Sequence, residues 1–247
     1  MPEGFHAIVR APLLTPSPLQ KYRAGIGRHV VHDDLVLTAM GGDGPDFNNA
    51  AVLGPIALER VFALADAFFG TGYCVTVVSE VTEPVEEALR VHGWELDEEE
   101  PALVFAPIPA MPPAPPDLTI QLVTTDASFA DFMAVSHTVH RWVPSLRAAM
   151  DPAVALLVGY LGEEAVATAR LACYGPVGEI TGVVTMPAHR RRGLGTAMTW
   201  AAIAEGVRRG CTAMTLTASA MGYPVYLRMG FVPVCRYRTY LPPPKQE

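Results

Sequence analysis

The residues with the clearest chemical potential lie between Val183 and Thr196. A β-branched run, Val183-Val184-Thr185, passes through the basic turn His189-Arg190-Arg191-Arg192 to Gly193 and Gly195, which open a helix-forming stretch. Amides in the first turn of a helix have no partner within it and sit at the positive end of its dipole. Glycines let an anion approach those amides and arginines add charge, so the segment reads as a phosphate cradle. A solvated basic turn is the plain alternative for an isolated motif of this kind. Two commoner phosphate motifs are excluded: Met198 stands where a dinucleotide fingerprint needs its third glycine, and no Gly-Lys-Ser/Thr ends a P-loop. On the strand leading in, the period of two puts Glu179 on one face with Thr181 and Val183. Such a carboxylate either draws a proton from an amine, directly or through water, or is a surface or salt-bridged group. Downstream, Tyr223 and Tyr226 precede Gly230-Phe231; an aromatic four residues before Gly-Phe is by itself compatible with simple helix packing.

The order of these pieces resembles the GNAT superfamily of N-acetyltransferases. Arg190, Gly193 and Gly195 fill that family's coenzyme A loop, and Tyr226 with Gly230-Phe231 fills its Tyr-x-x-x-Gly-Phe element. The resemblance covers roughly 118–241. It implies acetyl-CoA as cosubstrate, no metal, and direct transfer of an acetyl group to a primary amine of a small-molecule or peptide acceptor. In that reading the amides of Arg191, Arg192, Gly193, Leu194, Gly195 and Thr196 grip the pyrophosphate, with Arg190 also on the cofactor. The backbone of Val183, Val184 and Thr185 pairs with the pantetheine arm like an added strand, and an amide at or near Val184 polarises the thioester carbonyl. Tyr226 protonates the departing thiolate, since a phenol of pKa about 10 and a thiol of about 8.5 are matched for concerted transfer; Tyr223 is the reserve. Ser219 stands where the family often has an asparagine on the cofactor. A non-catalytic acyl-CoA-binding module and an O-acyl or longer-acyl transferase are the rival functions.

Composition is consistent with this picture. The chain has 247 residues, half of them hydrophobic, and a net charge of −7. Residues 1–117 carry 6 Lys/Arg against 17 Asp/Glu, whereas 118–247 carry 12 against 8, so the basic charge collects beside the cradle. An acidic chain without a basic-aromatic stripe argues against a nucleic-acid partner and for a small polyanionic ligand. Neither a signal pattern nor a run of about 18 apolar residues is present, so no membrane partner and a cytoplasmic location are expected. Cys74, Cys173, Cys211 and Cys235 are scattered without C-x-x-C, which suggests reduced thiols; Cys173 as a covalent acetyl relay is the less favoured reading. His137 and His140 have helical spacing but no third ligand of suitable spacing, so they line the acceptor side or face solvent. A homodimer is left open.

The elements that must position these residues divide at a proline-dense connector, 107–117, which is expected to be extended and stiff. After it the patterns predict strand 118–123, helix 126–139, a short helix near 145–150, strands 153–161, 165–174 and 178–186, helix 193–209, strand 212–217, helix 223–229 and strand 231–240. That order is α+β, a mixed sheet flanked by helices. Residues 1–106 read as a degenerate copy of 118–247: helix 56–69, strand 73–79, helix 83–91, then His92-Gly93-Trp94 in the place of Met229-Gly230-Phe231. Aligned by these glycines, Leu89 stands at the position of Tyr226 and Asn48–Pro55 replaces the basic cradle. The fold class expected is thus two tandem GNAT-like domains, the first having lost the anion site and the acid.

Overall fold

In a computed structural model, the described residues are 4–15, 27–39, 44–45, 47–70, 72–78, 83–110, 112, 115, 117–136 and 150–244. The short helix expected near 145–150 falls almost wholly outside them, as do His137 and His140.

Among the described residues, eleven strands form one mixed sheet in the order β1-β2-β3-β4-β11-β5-β10-β9-β8-β7-β6. Arg28–His32 (β1), Leu35–Ala39 (β2), Asn48–Val52 (β3) and Cys74–Val78 (β4) make one wing. Leu118–Leu122 (β6), Val154–Leu161 (β7), Glu164–Tyr174 (β8), Val177–Thr185 (β9) and Ala213–Thr217 (β10) make the other. Glu95–Phe105 (β5) and Val232–Leu241 (β11) lie between them. Each is exchanged: β5 pairs with β10, and β11, the last strand of the chain, pairs with β4. The segments on either side of the connector therefore share a single sheet.

Strand order reads alike outward from the β5/β11 seam. On one side β11 is antiparallel to β4, which is parallel to β3; on the other β5 is antiparallel to β10, which is parallel to β9. Helices Leu58–Phe69 (α2) and Leu194–Arg208 (α5) follow β3 and β9. Helices Glu83–Val91 (α3) and Tyr223–Met229 (α6) follow β4 and β10. The ends of α3 and α6 are built alike. Trp94 N–H donates to Leu89 O and Gly93 N–H to Arg90 O, while Phe231 N–H donates to Tyr226 O and Gly230 N–H to Leu227 O, all near 3 Å. This double bond from a left-handed residue is the usual glycine-terminated helix end; φ is 78° at Gly93 and 101° at Gly230.

Burial is nearly continuous along central strands such as β4 and β7, as a sheet with helices on both faces requires, and successive residues pack into opposite cores. Leu103 and Phe105 of β5 pack with Leu171, Ile180 and Met214 in the core under α5, whereas Ala102 and Val104 join the core under Phe5–Leu14 (α1). Asp126–Ser136 (α4) covers Leu156 and Val158 on the α1 face. Phe231 is buried and stacks on Phe105 with ring centroids 4.7 Å apart, which fixes the end of α6 and with it Tyr226.

Helix α1 and strands β1, β2 and β5 are elements the patterns did not announce. Strand β5 begins Glu95-Leu96-Asp97-Glu98-Glu99-Glu100, a charge run that reads as loop. It pairs because Arg236 and Arg238 of β11 both bind Glu99. Asn48–Val52 is strand β3, so only 53–57 links it to α2 and occupies the place of the cradle.

Candidate active site

The site begins with a fault in the sheet. Between the partners Thr168↔Val184 and Arg170↔Thr181 the β8/β9 register shifts, with Gly182 in a left-handed conformation at φ 59°. A bulge of this kind bends its strand and re-aims the residues beyond it. The β9/β10 pairing accordingly stops at Thr215↔Glu179, although β9 runs on to Thr185 and β10 to Thr217. Past Glu179 the strands diverge, and the backbone of Val183–Thr185 borders a cleft. No such divergence occurs in the other wing, where β3 and β4 stay paired from Asn49↔Cys74 to Val52↔Val77, the last residue of β3.

Beyond β9, the 3-10 turn Pro187–His189 leads to Arg191 at φ 60° and Gly193 at φ 79°. A left-handed conformation is uncommon for arginine and costs about 1–2 kcal/mol, so the surroundings hold this turn in place. Arg190 is part of the brace, its Nε donating to Thr185 O at 3.1 Å. Gly193 caps α5 without any side-chain hydrogen bond. The amides of Leu194, Gly195 and Thr196 are therefore left without an intrahelical partner, at the floor of the same cleft. Arg192 is not among the lining residues; its guanidinium meets His189 Nδ1 at 3.2 Å, and His189 in turn meets Glu164.

The cleft measures about 1020 Å³. It is lined by Val183, Val184, Thr185, Arg190, Arg191, Gly193, Leu194, Gly195, Thr196, Ser219 and Tyr226, which the sequence singled out. Pro187, Ala188, Gly222, Arg228 and an apolar wall of Met221, Pro224 and Val225 complete it, and sequence reasoning gave none of these a role. The basic excess of the second segment hinted at Arg228, but nothing in the spacing picks it out.

Tyr226 borders the cleft, whereas Tyr223 packs against the α5 core and does not line it. Burial raises the Tyr226 pKa, a hydrogen bond with Thr199 opposes the rise, and the phenol stays protonated. Its ring meets Phe231 edge-on at 5.7 Å. Glu179 lies outside the lining, at the last β9/β10 pair before the strands part. Tyr174 Oη donates to Glu179 Oε2 at 3.1 Å. Burial raises the Glu179 pKa against the opposing pull of the Arg170 guanidinium and the Tyr174 hydroxyl. Cys173 is also remote from the lining; contact with the Cys211 thiol and burial push its pKa up, which disfavours a thiolate. Among the described residues no group of three His, Cys, Asp or Glu is placed to hold a metal.

A slot with an unpaired strand edge, a basic turn and a capless helix suits a thioester carried on a phosphorylated handle. Residues 122–231 match the profile of the Acetyltransferase (GNAT) family. This segment is an acetyltransferase domain of that family. A search of curated proteins finds no match to the chain. Among solved structures, a GCN5-related N-acetyltransferase from Kribbella flavida is 22% identical, with a TM-score of 0.75 over 97% of this chain and 96% of that one. One from Sphaerobacter thermophilus is 14% identical, with a TM-score of 0.61 over 100% and 99% of the two chains. A tandem GNAT protein from the clavulanic acid biosynthesis pathway is 13% identical, with a TM-score of 0.56 over 86% and 79%. At these identities the likenesses speak to fold.

Proposed function

We propose that the chain transfers the acetyl group of acetyl-CoA to a primary amine of a small-molecule or peptide acceptor, in the cytoplasm. The observation that carries this reading is the cleft itself, in which the free edge of Val183–Thr185, the turn residues Arg190 and Arg191, the helix start Gly193–Thr196 and Tyr226 border one space. Acetyl-CoA enters as substrate, its phosphates toward the cradle amides and its pantetheine amides toward the edge of β9. The neutral amine nitrogen bonds to the thioester carbon and the carbon–sulfur bond breaks. The amine's proton leaves to Glu179 or through water, and Tyr226 gives its proton to the thiolate, so the products are an N-acetyl amide and free coenzyme A. Glu179 lies outside the cleft lining, so water relays the proton to it, and a carboxylate whose pKa burial has raised holds that proton more readily than an ordinary one.

Residues 1–106 act in this reading as a degenerate copy that binds no coenzyme A. Three features support that role. The β3/β4 edge is fully paired. The loop at Gly54 packs so closely on the Asp34 carboxylate that an added Cβ would lie 2.3 Å from Oδ1, which puts negative charge where the cradle would sit. Leu89, at the position of Tyr226, is buried. Release of free thiol from acetyl-CoA with a panel of amines tests the proposal. Amine-dependent release supports it, and saturable coenzyme A binding with no release under any amine assigns the chain to acyl-CoA binding instead.

A further inference from the structure

Helix α6 carries Tyr226 but has little of its own to hold it in place. None of its seven residues is buried. A helix this short keeps its position through packing rather than propensity, so its anchor must lie beside it. That anchor is Phe231, 2% exposed and just past the end of α6. It is joined to Tyr226 twice: its N–H donates to Tyr226 O at 3.0 Å, and the two rings meet edge-on at 5.7 Å.

Phe231 rests in turn on Phe105, the last residue of β5, with the rings stacked 4.7 Å apart at an interplanar angle of 18°. Phe105 also meets Trp200 of α5 edge-on at 5.5 Å. An added Cβ on Gly230 would lie 3.3 Å from Phe105 Cε2, so the chain closes on that ring with little slack. Phe105 is buried, and it bridges the helix that opens the cradle and the turn that ends the helix of the acid. Yet it belongs to residues 1–106, across the connector from the residues that line the cleft. The strand exchange puts it there, since β5 lies between β11 and β10 with Phe105 opposite Met214. Trp94, in the equivalent position after α3, stacks instead on Phe62 of its own segment at 5.4 Å.

We propose that Phe105 is a positioning residue for the general acid, through which residues 1–106 set the place of the Tyr226 phenol relative to the cradle. This rests on the reading of Tyr226 given above, and it gives the degenerate copy a task that needs no coenzyme A site of its own. Phe105 does not line the cleft; it acts through Phe231 and Trp200. Phe105→Leu keeps an apolar side chain but removes the flat face on which Phe231 rests. Phe231 then settles into the freed space and carries Tyr226 with it.

The test uses the full chain with Phe105→Leu, Tyr226→Phe, the double variant Phe105→Leu/Tyr226→Phe, and Leu171→Val as control. Leu171 lies in the same core, close to Gly178 and Gly206. Four readouts are taken: single-turnover thiol release at saturating acetyl-CoA and amine, coenzyme A affinity, thermal melts, and carbon NMR of the tyrosine-labelled chain without ligand. The Tyr226 signal is identified by its loss in Tyr226→Phe. We expect Phe105→Leu to move that signal and to slow release about tenfold, inside the roughly 10²-fold that a misplacement of about 1 Å costs. Coenzyme A affinity should stay close to wild type. Leu171→Val should melt lower, as a loss of core volume does, with the Tyr226 signal and the rate unchanged. Once Tyr226 is Phe, Phe105→Leu should slow release no further. An unmoved Tyr226 signal in Phe105→Leu, an equal slowing in both backgrounds, or the same slowing in Leu171→Val overturns the proposal. If Phe105→Leu unfolds the chain, Phe105→Met, whose unbranched side chain fills irregular space, replaces it with the same readouts. Wild-type turnover in Tyr226→Phe refutes the general-acid reading instead, while the Tyr226 signal still reports whether Phe105 places the ring.

Discussion

Gly195→Asp separates binding from folding because the structure assigns the two effects opposite signs. Gly195 lies in the first turn of α5, outside the left-handed region, and an added Cβ there approaches Thr185 Oγ1 at 3.7 Å, an ordinary contact. The turn has no acidic residue. A carboxylate near a helix N-terminus stabilises by about 0.3–1 kcal/mol, so the unliganded variant should melt no lower than wild type. Against a phosphate about 4 Å away, at an effective dielectric of about 20, the same carboxylate costs about 4 kcal/mol. That is a loss of roughly 10³-fold in coenzyme A affinity. Calorimetric titration with coenzyme A, paired with thermal melts, reads both quantities. Gly195→Ala is the control and should fold normally with a much smaller loss. A Gly195→Asp protein that melts like wild type and binds coenzyme A within twofold of it would refute the cradle. Gly193→Pro is the poorer experiment, because φ at Gly193 is 79° and proline requires a negative value.

Three further outcomes follow from the same geometry. Titration of the full chain should give one coenzyme A site, and two sites would contradict the degenerate role of residues 1–106. Glu179→Gln should remove an acidic limb from the pH profile of amine acetylation, lying above the usual carboxylate range because burial raises the Glu179 pKa; a profile unchanged in shape would assign deprotonation to water. Glu205 is held below the usual carboxylate range by hydrogen bonds from Arg208 and Arg209, and Arg209 also donates to the carbonyls of Pro152 and Val154. The stability it supplies is present above its unfolded pKa and lost as pH falls through the lower folded value. Glu205→Gln should therefore lower the melting midpoint by about 2–4 °C at neutral pH, and the difference from wild type should shrink in acid.

The second segment was legible because its elements carry their own signals. Strand β7 is an unbroken apolar run, Gly193 and Gly195 open α5, and Gly230 closes α6. The places of Gly193, Gly195 and Tyr226 along one cleft could be read because glycines mark backbone that must turn or lie bare, and such marks survive in one dimension. What escaped depends on distant partners. Strand β5 looks like an acidic loop until β11, more than a hundred residues away, supplies Arg236 and Arg238. The exchange of β5 and β11 has no local signature, since each strand is as apolar or as charged as its neighbours allow. The wall of Met221, Pro224 and Val225 belongs to the site only through the packing of α6 on α5. The β9/β10 divergence likewise depends on a bulge opposite β8, of which Gly182 was the one visible sign.

The central claim is that the cleft performs acetyl transfer with Tyr226 as acid. Its most direct test is the single-turnover rate of thiol release by Tyr226→Phe at saturating acetyl-CoA and a saturating amine, with coenzyme A affinity measured on the same protein. Loss of one general acid slows chemistry by about 10²- to 10⁴-fold, while the ring that packs on Phe231 is kept. The account predicts that fall with affinity unchanged and with Tyr223→Phe close to wild type. A Tyr226→Phe enzyme that turns over at the wild-type rate contradicts it.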